Sequence, residues 1–531
     1  MNKYCFALLP LLFVAGVKAQ VPGAAIDVQH YSFNLVLNDE NNSIKGKAVI
    51  DVTALKNTPE VSFDLIAKKG TGKGMVISAV TENGKDVKFE QGPDAVKILS
   101  PIASQSKHSY IIVYEGIPAD GLIISTNKYG KRTFFGDNWL KRARNWLPCV
   151  DDVADKATVE FTVTAPAHYS VVANGVKTQE TTTGQTKLTQ WKETAPISTK
   201  IMVIGVADFA VTQSGTVNDA IPVYSYVFQQ DKEAGFKSYA CANEILPVFI
   251  KKVGPYAYKK LANVQSKTIF GGMENAGAIF YYENSVLDKA IEALVAHEIG
   301  HQWFGDAVTE KSSKDVWLSE GFATFMCNYY HEYKYGVDSL NKRLMVDRKT
   351  IFNFEKTRQT PVVDTTQEKD PLTILNPNAY QKGGWVLHML RRKIGEDAFW
   401  KGLRAYYAKY MNKNADTDDF RTEMEQASGT DLKPFFKQWL NTPGHPRVGV
   451  MWSYDVKRKK ISLNIDQSNA HTYDLTVELK IDKTLHKFKL NTDFKDYVIP
   501  YPTKPKSIIA DPNVNLLAEF GVQEMVSPAK K

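Results

Sequence analysis

The sequence predicts a multidomain α+β fold, with a helix-rich middle between two β-rich parts. Its 531 residues are too many for one hydrophobic core and suggest about three domains. The spacing of apolar residues changes twice along the chain, from period two to helical period and back. A cluster of turn-forming residues, NTPGHP at residues 441–446, marks the second change.

The N-terminal part, residues 20–212, is predicted to be an all-β domain. Apolar and polar residues alternate over residues 31–37, 157–164 and 188–191, and helical periodicity is nearly absent. Gly, Asn and Asp separate the alternating segments, as is typical of turns between strands.

The middle part, residues 213–443, is predicted to be rich in helices. A strand edge with a glycine-rich turn is expected over residues 263–280. Helical patterns cover residues 232–253, 283–304, 317–334, 339–354, 381–394, 396–410, 417–428 and 432–440.

The C-terminal part, residues 444–524, is predicted to be a small β-sandwich followed by a polar tail, residues 525–531. Alternation returns over residues 460–465 and 475–481. The short basic run at residues 457–460 is expected to form a solvated hairpin turn, with a surface-binding patch as the alternative.

Residues 1–19 have the pattern of a secretory signal peptide. Lys3 precedes an apolar run over residues 4–17, and a small-x-small pattern predicts cleavage after Ala19. The alternatives are a buried strand or a membrane anchor, but the run is short for a membrane span. No later stretch reaches about 18 uncharged apolar residues, so we expect an exported protein, periplasmic or secreted, without integral membrane association.

Charge and cysteine content argue against a nucleic-acid-binding protein and against a small fold held together by disulfides. The net charge of +8 is mild for this length, and no basic block is interleaved with aromatic residues, so nucleic acid is not an expected partner. Beyond residue 19 the cysteines are Cys149, Cys241 and Cys327, which are odd in number and far apart. They form neither a disulfide framework nor a pair with zinc-ligand spacing.

The strongest functional pattern is HEIGH at residues 297–301, which eighteen intervening residues separate from Glu320. A helix turns about every 3.6 residues, so His297 and His301 rise from one face, one turn apart. With Glu320 as third ligand and a fourth position open, the set is typical of a hydrolytic zinc site and not of a structural one. Glu298 is placed to act on the attacking water.

The alternative is a polar helix face with two satisfied histidines. Apolar residues surround the motif, and a buried His or Glu without a partner is costly. We therefore predict one zinc ion per chain.

Further segments stand around this pattern in a recognisable order. They are RNWLPCVDD (144–152), GGMEN (271–275), HEIGHQWFG (297–305), WLSEGFA (317–323), YQKG (380–383), QWL (438–440) and GHP (444–446). Together these segments resemble the zinc aminopeptidases of the aminopeptidase N and leukotriene A hydrolase group. The resemblance implies a thermolysin-like catalytic domain flanked by β domains, and removal of N-terminal residues from peptides with a free N-terminus.

By this resemblance the GGMEN segment binds substrate. Its glycines let the backbone approach a substrate strand closely, and Glu274 can pair with the α-ammonium group of a peptide. From position alone, Glu274 could instead be a surface acid that caps a turn. The predicted substrate-binding residues are Gly271, Gly272, Met273, Glu274 and Asn275.

The resemblance also makes Tyr380 the transition-state tyrosine. A phenol with a pKa of about 10 stays protonated and can donate a hydrogen bond to an oxyanion. The chain has 25 tyrosines, so position alone would favour a role in core packing.

The sequence departs from the family pattern in two places. Relatives often carry Gln or Glu just upstream of the arginine segment as a second amine anchor, whereas here residues 136–141 offer only Asp137 or Asn138. The large helical C-terminal domain of many relatives is also expected to be missing, which would leave an open cleft or one covered by a dimer.

The sequence thus predicts an exported zinc aminopeptidase that uses a zinc-activated water. Epoxide hydrolysis, which one branch of the family adds, and an inactive surface-binding scaffold are the alternatives. The preferred N-terminal side chain and the oligomeric state stay open.

Overall fold

The computed structural model describes residues 23–366 and 371–525. It confirms the predicted fold class, with a β-rich N-terminal part, a helix-rich middle and β-sheets at the C-terminal end. The predicted signal peptide lies outside the described residues, as does the predicted tail beyond Met525. The exact domain boundaries stay predictions.

The N-terminal part contains an eight-stranded sheet in the order β13-β14-β11-β1-β2-β8-β4-β5, together with sheets β12-β15-β10-β9 and β3-β7-β6. Buried and more exposed residues alternate along its strands, as period two requires. The strands are β1 (Ile26–Val36), β2 (Ile44–Ala54), β3 (Val61–Asp64), β4 (Gly74–Glu82), β5 (Lys85–Asp86), β6 (Phe89–Gln91), β7 (Ala95–Ile98), β8 (Lys107–Ile117), β9 (Leu122–Thr126), β10 (Arg132–Gly136), β11 (Lys156–Pro166), β12 (Ser170–Ala173), β13 (Val176–Thr183), β14 (Thr186–Ser198) and β15 (Ile204–Ala207).

The middle part has a five-stranded sheet in the order β16-β17-β18-β20-β19, so that β19 lies at an edge. Strands β21 and β22 pair separately. The strands are β16 (Phe209–Val217), β17 (Ile221–Phe228), β18 (Leu261–Ser266), β19 (Gly272–Met273), β20 (Ala278–Tyr282), β21 (Val308–Glu310) and β22 (Lys413–Ala415). The helices are α1 (Lys232–Tyr239), α2 (Ala242–Lys252), α3 (Ile291–His301), α4 (Trp317–Tyr335), α5 (Val337–Glu355), α6 (Gly383–Ile394), α7 (Glu396–Tyr410), α8 (Thr417–Ser428) and α9 (Lys433–Leu440).

Helices α7 and α8 have the predicted bounds, whereas the helices predicted over residues 232–253 and 283–304 differ most from the structure. The single helix predicted over residues 232–253 is broken, because the side-chain amide of Asn243 donates to the carbonyl of Ala240 at 3.1 Å and competes with the helical hydrogen bonds. The helix predicted over residues 283–304 begins only at Ile291. Before it, Asp288 accepts the N–H of Ala290 at 2.8 Å in a local turn.

The C-terminal part consists of a four-stranded sheet, β27-β24-β23-β29, and a three-stranded sheet, β26-β25-β28. The basic run at residues 457–460 lies at the hairpin connection between β23 and β24, as predicted. The strands are β23 (Arg447–Asp455), β24 (Lys460–Gln467), β25 (Leu475–Ile481), β26 (Thr484–Leu490), β27 (Phe494–Pro500), β28 (Ile508–Ala510) and β29 (Glu519–Glu524).

Buried polar contacts join the N-terminal part to the middle part. Lys200 Nζ pairs with Glu310 Oε1 at 2.7 Å, and both side chains are almost fully buried. Lys156 Nζ donates to the carbonyls of Asp306 and Ala307 at 2.8 and 2.9 Å. Since buried charges are tolerated only with partners, these contacts fix the two parts against each other next to α3.

Two further observations concern the described part of the chain. Cys149, Cys241 and Cys327 are free thiols. Within residues 23–366 and 371–525, no helix has the length and apolar character needed to cross a membrane.

Candidate metal centre and substrate cavity

Helices α3 and α4 bring the three predicted metal ligands together. His297 and His301 lie one turn apart on α3, with their Nε2 atoms separated by 3.1 Å. Glu320, in the first turn of α4, places Oε2 at 3.5 Å from Nε2 of His297 and 3.2 Å from Nε2 of His301. The ligand set predicted from spacing is therefore a compact cluster in space.

The cluster fits a tetrahedral zinc ion. Ligand atoms at about 2.0–2.1 Å from a tetrahedral centre lie about 3.3–3.4 Å from one another. The three observed separations, between 3.1 and 3.5 Å, bracket that value. Imidazole nitrogen and carboxylate oxygen are also the donor types of hydrolytic zinc sites.

Small residues and a local hydrogen bond set the positions of these ligands. A β-carbon at Gly300 would lie only 3.2 Å from Cα of Ala323, so glycine permits the close packing of α3 on α4. Nδ1 of His301 lies 3.2 Å from the carbonyl of Phe304 and 3.0 Å from Oγ of Ser319. Such contacts orient a metal-binding imidazole, and the sequence pattern did not reveal them.

Glu298 lies beside the cluster and is buried. Its carboxylate, that of Glu274 and a ring nitrogen of His301 lie within 4.8 Å of one another. Burial raises the pKa of Glu298 well above its usual value, and the charge of Glu274 adds to this rise although His301 opposes it. A carboxyl group with a raised pKa is suited to accept a proton and then return it.

Glycine at position 272 allows the edge strand β19 to lie against this base. A β-carbon at Gly272 would collide with the carboxylate of Glu298. Close approach of backbone to the reacting groups thus requires glycine here.

Glu274 follows β19 and is held by its backbone. Gln302 Nε2 donates to the carbonyl of Glu274 at 2.7 Å, and Gln302 Oε1 accepts the N–H of Gly277 at 2.8 Å. Oε1 of Glu274 is buried and has no hydrogen-bond partner among the described residues. Because an unpaired buried carboxylate is costly, this atom is suited to a cationic ligand.

The GGMEN residues do not all reach the cavity beside the cluster. Gly271, Gly272, Met273 and Glu274 line it. Asn275 is completely buried and lies outside the lining that the structure describes. Both polar atoms of its side chain lack partners within the described residues.

Tyr380 lies in a π-helical turn, Asn378–Lys382, directly before α6. The first two residues of the helix predicted over residues 381–394 belong to this turn. The phenol ring stacks on His297, with centroids 5.9 Å apart and planes 11° from parallel. Burial, followed by the charges of Glu320 and Glu274, raises the pKa of Tyr380 well above 10, so its hydroxyl stays a donor.

The cavity at this site has a volume of about 220 Å³. Sequence reasoning found Met273 but missed the other apolar lining residues, because they come from separated segments of the chain. Among the described lining residues there is no lysine or arginine. The apolar lining comprises Trp139, Phe270, Met273, Leu294 and Leu375, with the rings of Trp139 and Phe270 edge to face at 6.2 Å.

Neither residue considered as a second amine anchor is free for that role. Asp137 and Asn138 are completely buried. Asp137 accepts from Thr268 Oγ1 at 2.9 Å and from Arg142 at 3.0 Å, and Asn138 accepts from the Trp146 indole at 2.8 Å. Of the stretch 136–141, Trp139 alone is found in the described cavity lining.

Residues 27–201 match the model described as the peptidase M1 N-terminal domain, and residues 240–439 match the peptidase family M1 domain. Together these models span well over half of the chain.

Curated relatives include Tricorn protease-interacting factor F2 of Thermoplasma acidophilum, 29% identical over 75% of this chain and 53% of that protein. Leucyl aminopeptidase of Saccharolobus solfataricus is 25% identical over 82% of this chain and 56% of that protein. Human glutamyl aminopeptidase is 28% identical over 61% and 35%. The chain thus spans about half the length of the first of these relatives, and less of the human protein.

A solved structure of a mutant M1 zinc metallopeptidase from Deinococcus radiodurans shares the fold. The TM-score is 0.67 at 22% identity, and the match covers 78% of this chain and 94% of that one. At this identity the likeness concerns the fold alone.

Proposed function

Since this chain belongs to peptidase family M1, we propose that it is a zinc-dependent aminopeptidase that removes N-terminal residues from peptides. The observation that carries the proposal is the buried carboxylate of Glu274, whose Oε1 has no hydrogen-bond partner among the described residues, beside the cluster of His297, His301 and Glu320. The cluster suits hydrolysis, and the carboxylate suits a free α-ammonium group. Their closeness restricts cleavage to the first peptide bond.

Each side chain has a distinct part in the reaction. Zinc, when bound, supplies Lewis acidity toward the scissile carbonyl and toward the attacking water. Glu298 accepts the proton of that water and returns a proton to the leaving amine. The hydroxyl of Tyr380 donates to the oxygen that gains negative charge, while Glu274 keeps the N-terminus in place.

The edge strand β19 supports an extended substrate. It pairs with β20 through Gly272 and Met273 on one side only. An exposed strand edge can accept a peptide as an added strand through main-chain hydrogen bonds. A peptide bound in this way would run past Glu298 with its N-terminus toward Glu274.

The cavity walls favour an apolar first residue. The side chain of that residue would meet Trp139, Phe270, Met273 and Leu375, with no lysine or arginine among the described lining residues to pair an acidic one. The carboxylates of the site would also repel an acidic side chain. We therefore expect peptides with a large apolar N-terminal residue to be good substrates and peptides with an N-terminal glutamate to be poor ones. The relatives named glutamyl aminopeptidase differ in this respect, as their name states.

The proposal includes export from the cytoplasm. It is supported by the apolar run over residues 4–17 and the small-x-small pattern ending at Ala19. N-terminal sequencing of the protein recovered from its native host would test it, with a mature chain beginning at residue 20 as the expected result. An uncleaved N-terminus would contradict it.

The test of the activity is a panel of arylamides assayed with the zinc-loaded protein. We expect hydrolysis of leucyl and phenylalanyl arylamides, and little or none of N-acetyl-leucyl arylamide, because acetylation removes the charge that Glu274 needs. Efficient cleavage of the acetylated substrate would leave a general peptidase. If no arylamide is cleaved but an epoxide is hydrolysed, the epoxide hydrolase alternative is supported. If no arylamide is cleaved and no zinc is bound, the inactive scaffold is supported.

A further inference from the structure

Lys382 follows Tyr380 by two residues and is completely buried although it can carry a charge. Its Nζ donates to Glu355 Oε1 and to the carbonyl of Gly444, each at 2.7 Å. Glu355 is the last residue of α5. Gly444 belongs to the GHP segment at residues 444–446, which leads into the C-terminal sheets. One side chain of the tyrosine turn, which is the π-helical turn Asn378–Lys382, therefore bonds to two other segments of the protein.

Glu355 is shared between Lys382 and a histidine. Its second oxygen is hydrogen-bonded to Nδ1 of His445. The ring of His445 stacks on Phe352, with centroids 3.9 Å apart, and its Nε2 lies 3.2 Å from Oε1 of Glu519 in β29. These groups form a charge chain, consisting of Lys382, Glu355, His445 and Glu519, that runs from the tyrosine turn to the C-terminal sheets.

The pKa of Glu355 is consistent with an ionised carboxylate at this position. Burial by itself would raise this pKa. The hydrogen bond from His445 and the charge of Lys382 outweigh burial and lower it.

The tyrosine turn, Asn378–Lys382, is also held by α4. A β-carbon at Gly321 would lie only 2.9 Å from Cα of Gly383, so the backbone after the turn packs directly on the helix that carries Glu320. A single π-helical turn is rare and is found mostly at functional sites. Contacts from outside the turn are therefore needed to hold Tyr380 in one place.

We infer that Lys382 is a positioning residue for Tyr380, an inference that rests on the proposed function because it takes Tyr380 as the oxyanion donor. Lys382 is absent from the described cavity lining, so it acts through the turn. Burying a lysine and a glutamate costs about as much as their attraction returns, and apolar pairs are often equally stable. The charge chain thus fixes a geometry, and it makes the C-terminal sheets part of the support of the active site.

The test is a double-mutant cycle with Lys382→Met and Tyr380→Phe in the zinc-loaded, full-length protein. Tyr380→Phe alone should lower kcat by roughly 10²–10³-fold. Lys382→Met alone should lower kcat on the order of 10–10²-fold with KM little changed, because small displacements of an acting group are costly. In the Tyr380→Phe background, Lys382→Met should lower kcat by less than about twofold further.

Lys200→Met is the matched control, because Lys200 and Glu310 form an equally buried pair at the same distance of 2.7 Å. Lys200→Met should change kcat by the same factor in the wild-type background and in the Tyr380→Phe background. If Lys382→Met does not fold, the double variant Lys382→Met/Glu355→Gln takes its place in the cycle. This double variant also removes the charge of Glu355, which would otherwise stay buried without a partner.

The outcomes separate the two proposals. An active wild type with the predicted non-additive cycle supports the positioning role. An active wild type in which Lys382→Met has the same effect in both backgrounds, raises KM instead, or loses zinc overturns that role alone. A wild type that cleaves no arylamide contradicts the proposed function and, with it, the positioning role.

Discussion

One wall of the cavity is formed by α3 and α4, whereas the facing wall combines β19 and the adjacent Phe270 with Trp139 from the N-terminal part. The helical wall carries the three proposed metal ligands and the proposed base, Glu298. The facing wall carries one carboxylate, Glu274, among apolar side chains. From this difference we expect that the rate of bond cleavage and the selectivity for substrates depend on different walls of the cavity. Substitutions on the helices should change how fast the bond breaks, and substitutions on the facing wall should change which substrate is chosen.

The largest effect is expected from loss of a metal ligand on the helical wall. His301→Ala should lose bound zinc and activity together. Its rate should fall by more than the roughly 10²–10⁴-fold expected for loss of a general base. Metal analysis and arylamide kinetics check this. His331→Ala, on α4 outside the cluster, should keep both. Stoichiometric zinc in His301→Ala would remove the ligand assignment.

Removal of the base on the same wall comes next. Glu298→Gln keeps the size of the side chain but cannot accept a proton, so kcat should fall by roughly 10²–10⁴-fold. Bound zinc should be unchanged, because Glu298 is not among the three proposed ligands. Near-normal turnover would mean that another residue is the base.

On the facing wall, the charge of Glu274 should matter for one class of substrate. Glu274→Gln is expected to lower kcat/KM for leucyl arylamide on the order of 10²-fold, since it removes one partner of a buried charge pair. The loss should be severe because Asp137 and Asn138 are occupied elsewhere. The slow rate with the N-acetylated substrate should hardly change, and an equal fall for both would mean that Glu274 acts on the reaction and not on the amine.

The smallest effect should come from the apolar part of the facing wall. Trp139→Leu is expected to lower the ratio of kcat/KM for phenylalanyl and alanyl arylamides by roughly tenfold, in line with lost apolar contact in a side-chain pocket. The alanyl substrate serves as the control for folding and metal content. Equal losses for both substrates would show that Trp139 supports the fold of the cavity and does not select the side chain.

The same contrast explains how much could be predicted from the sequence. His297 and His301 follow from helical period alone, and the structure brings them together as expected. Tyr380 could be singled out only by its resemblance to a family motif, since its π-helical turn leaves no periodic signal. Trp139 and Leu375 were missed because they meet through long-range packing, which no local pattern records.

The second amine anchor shows a different limit. Asp137 and Asn138 have the right chemistry and lie in the right stretch of sequence, but their side chains bond to Arg142 and Trp146 instead. Which way a polar side chain points in a loop depends on partners far along the chain. Composition of that stretch could therefore suggest candidates but not choose among them.

The buried pair of Lys200 and Glu310 has a consequence for how such an enzyme can be divided or recombined. Cutting the chain between the N-terminal and middle parts would leave Glu310 without its partner, and Trp139 would be removed from the cavity in the same cut. The middle part is therefore not expected to keep an intact cavity when it is expressed by itself. Insertions, fusions and domain exchanges should therefore avoid the junction between the N-terminal and middle parts and be made at other points of the chain.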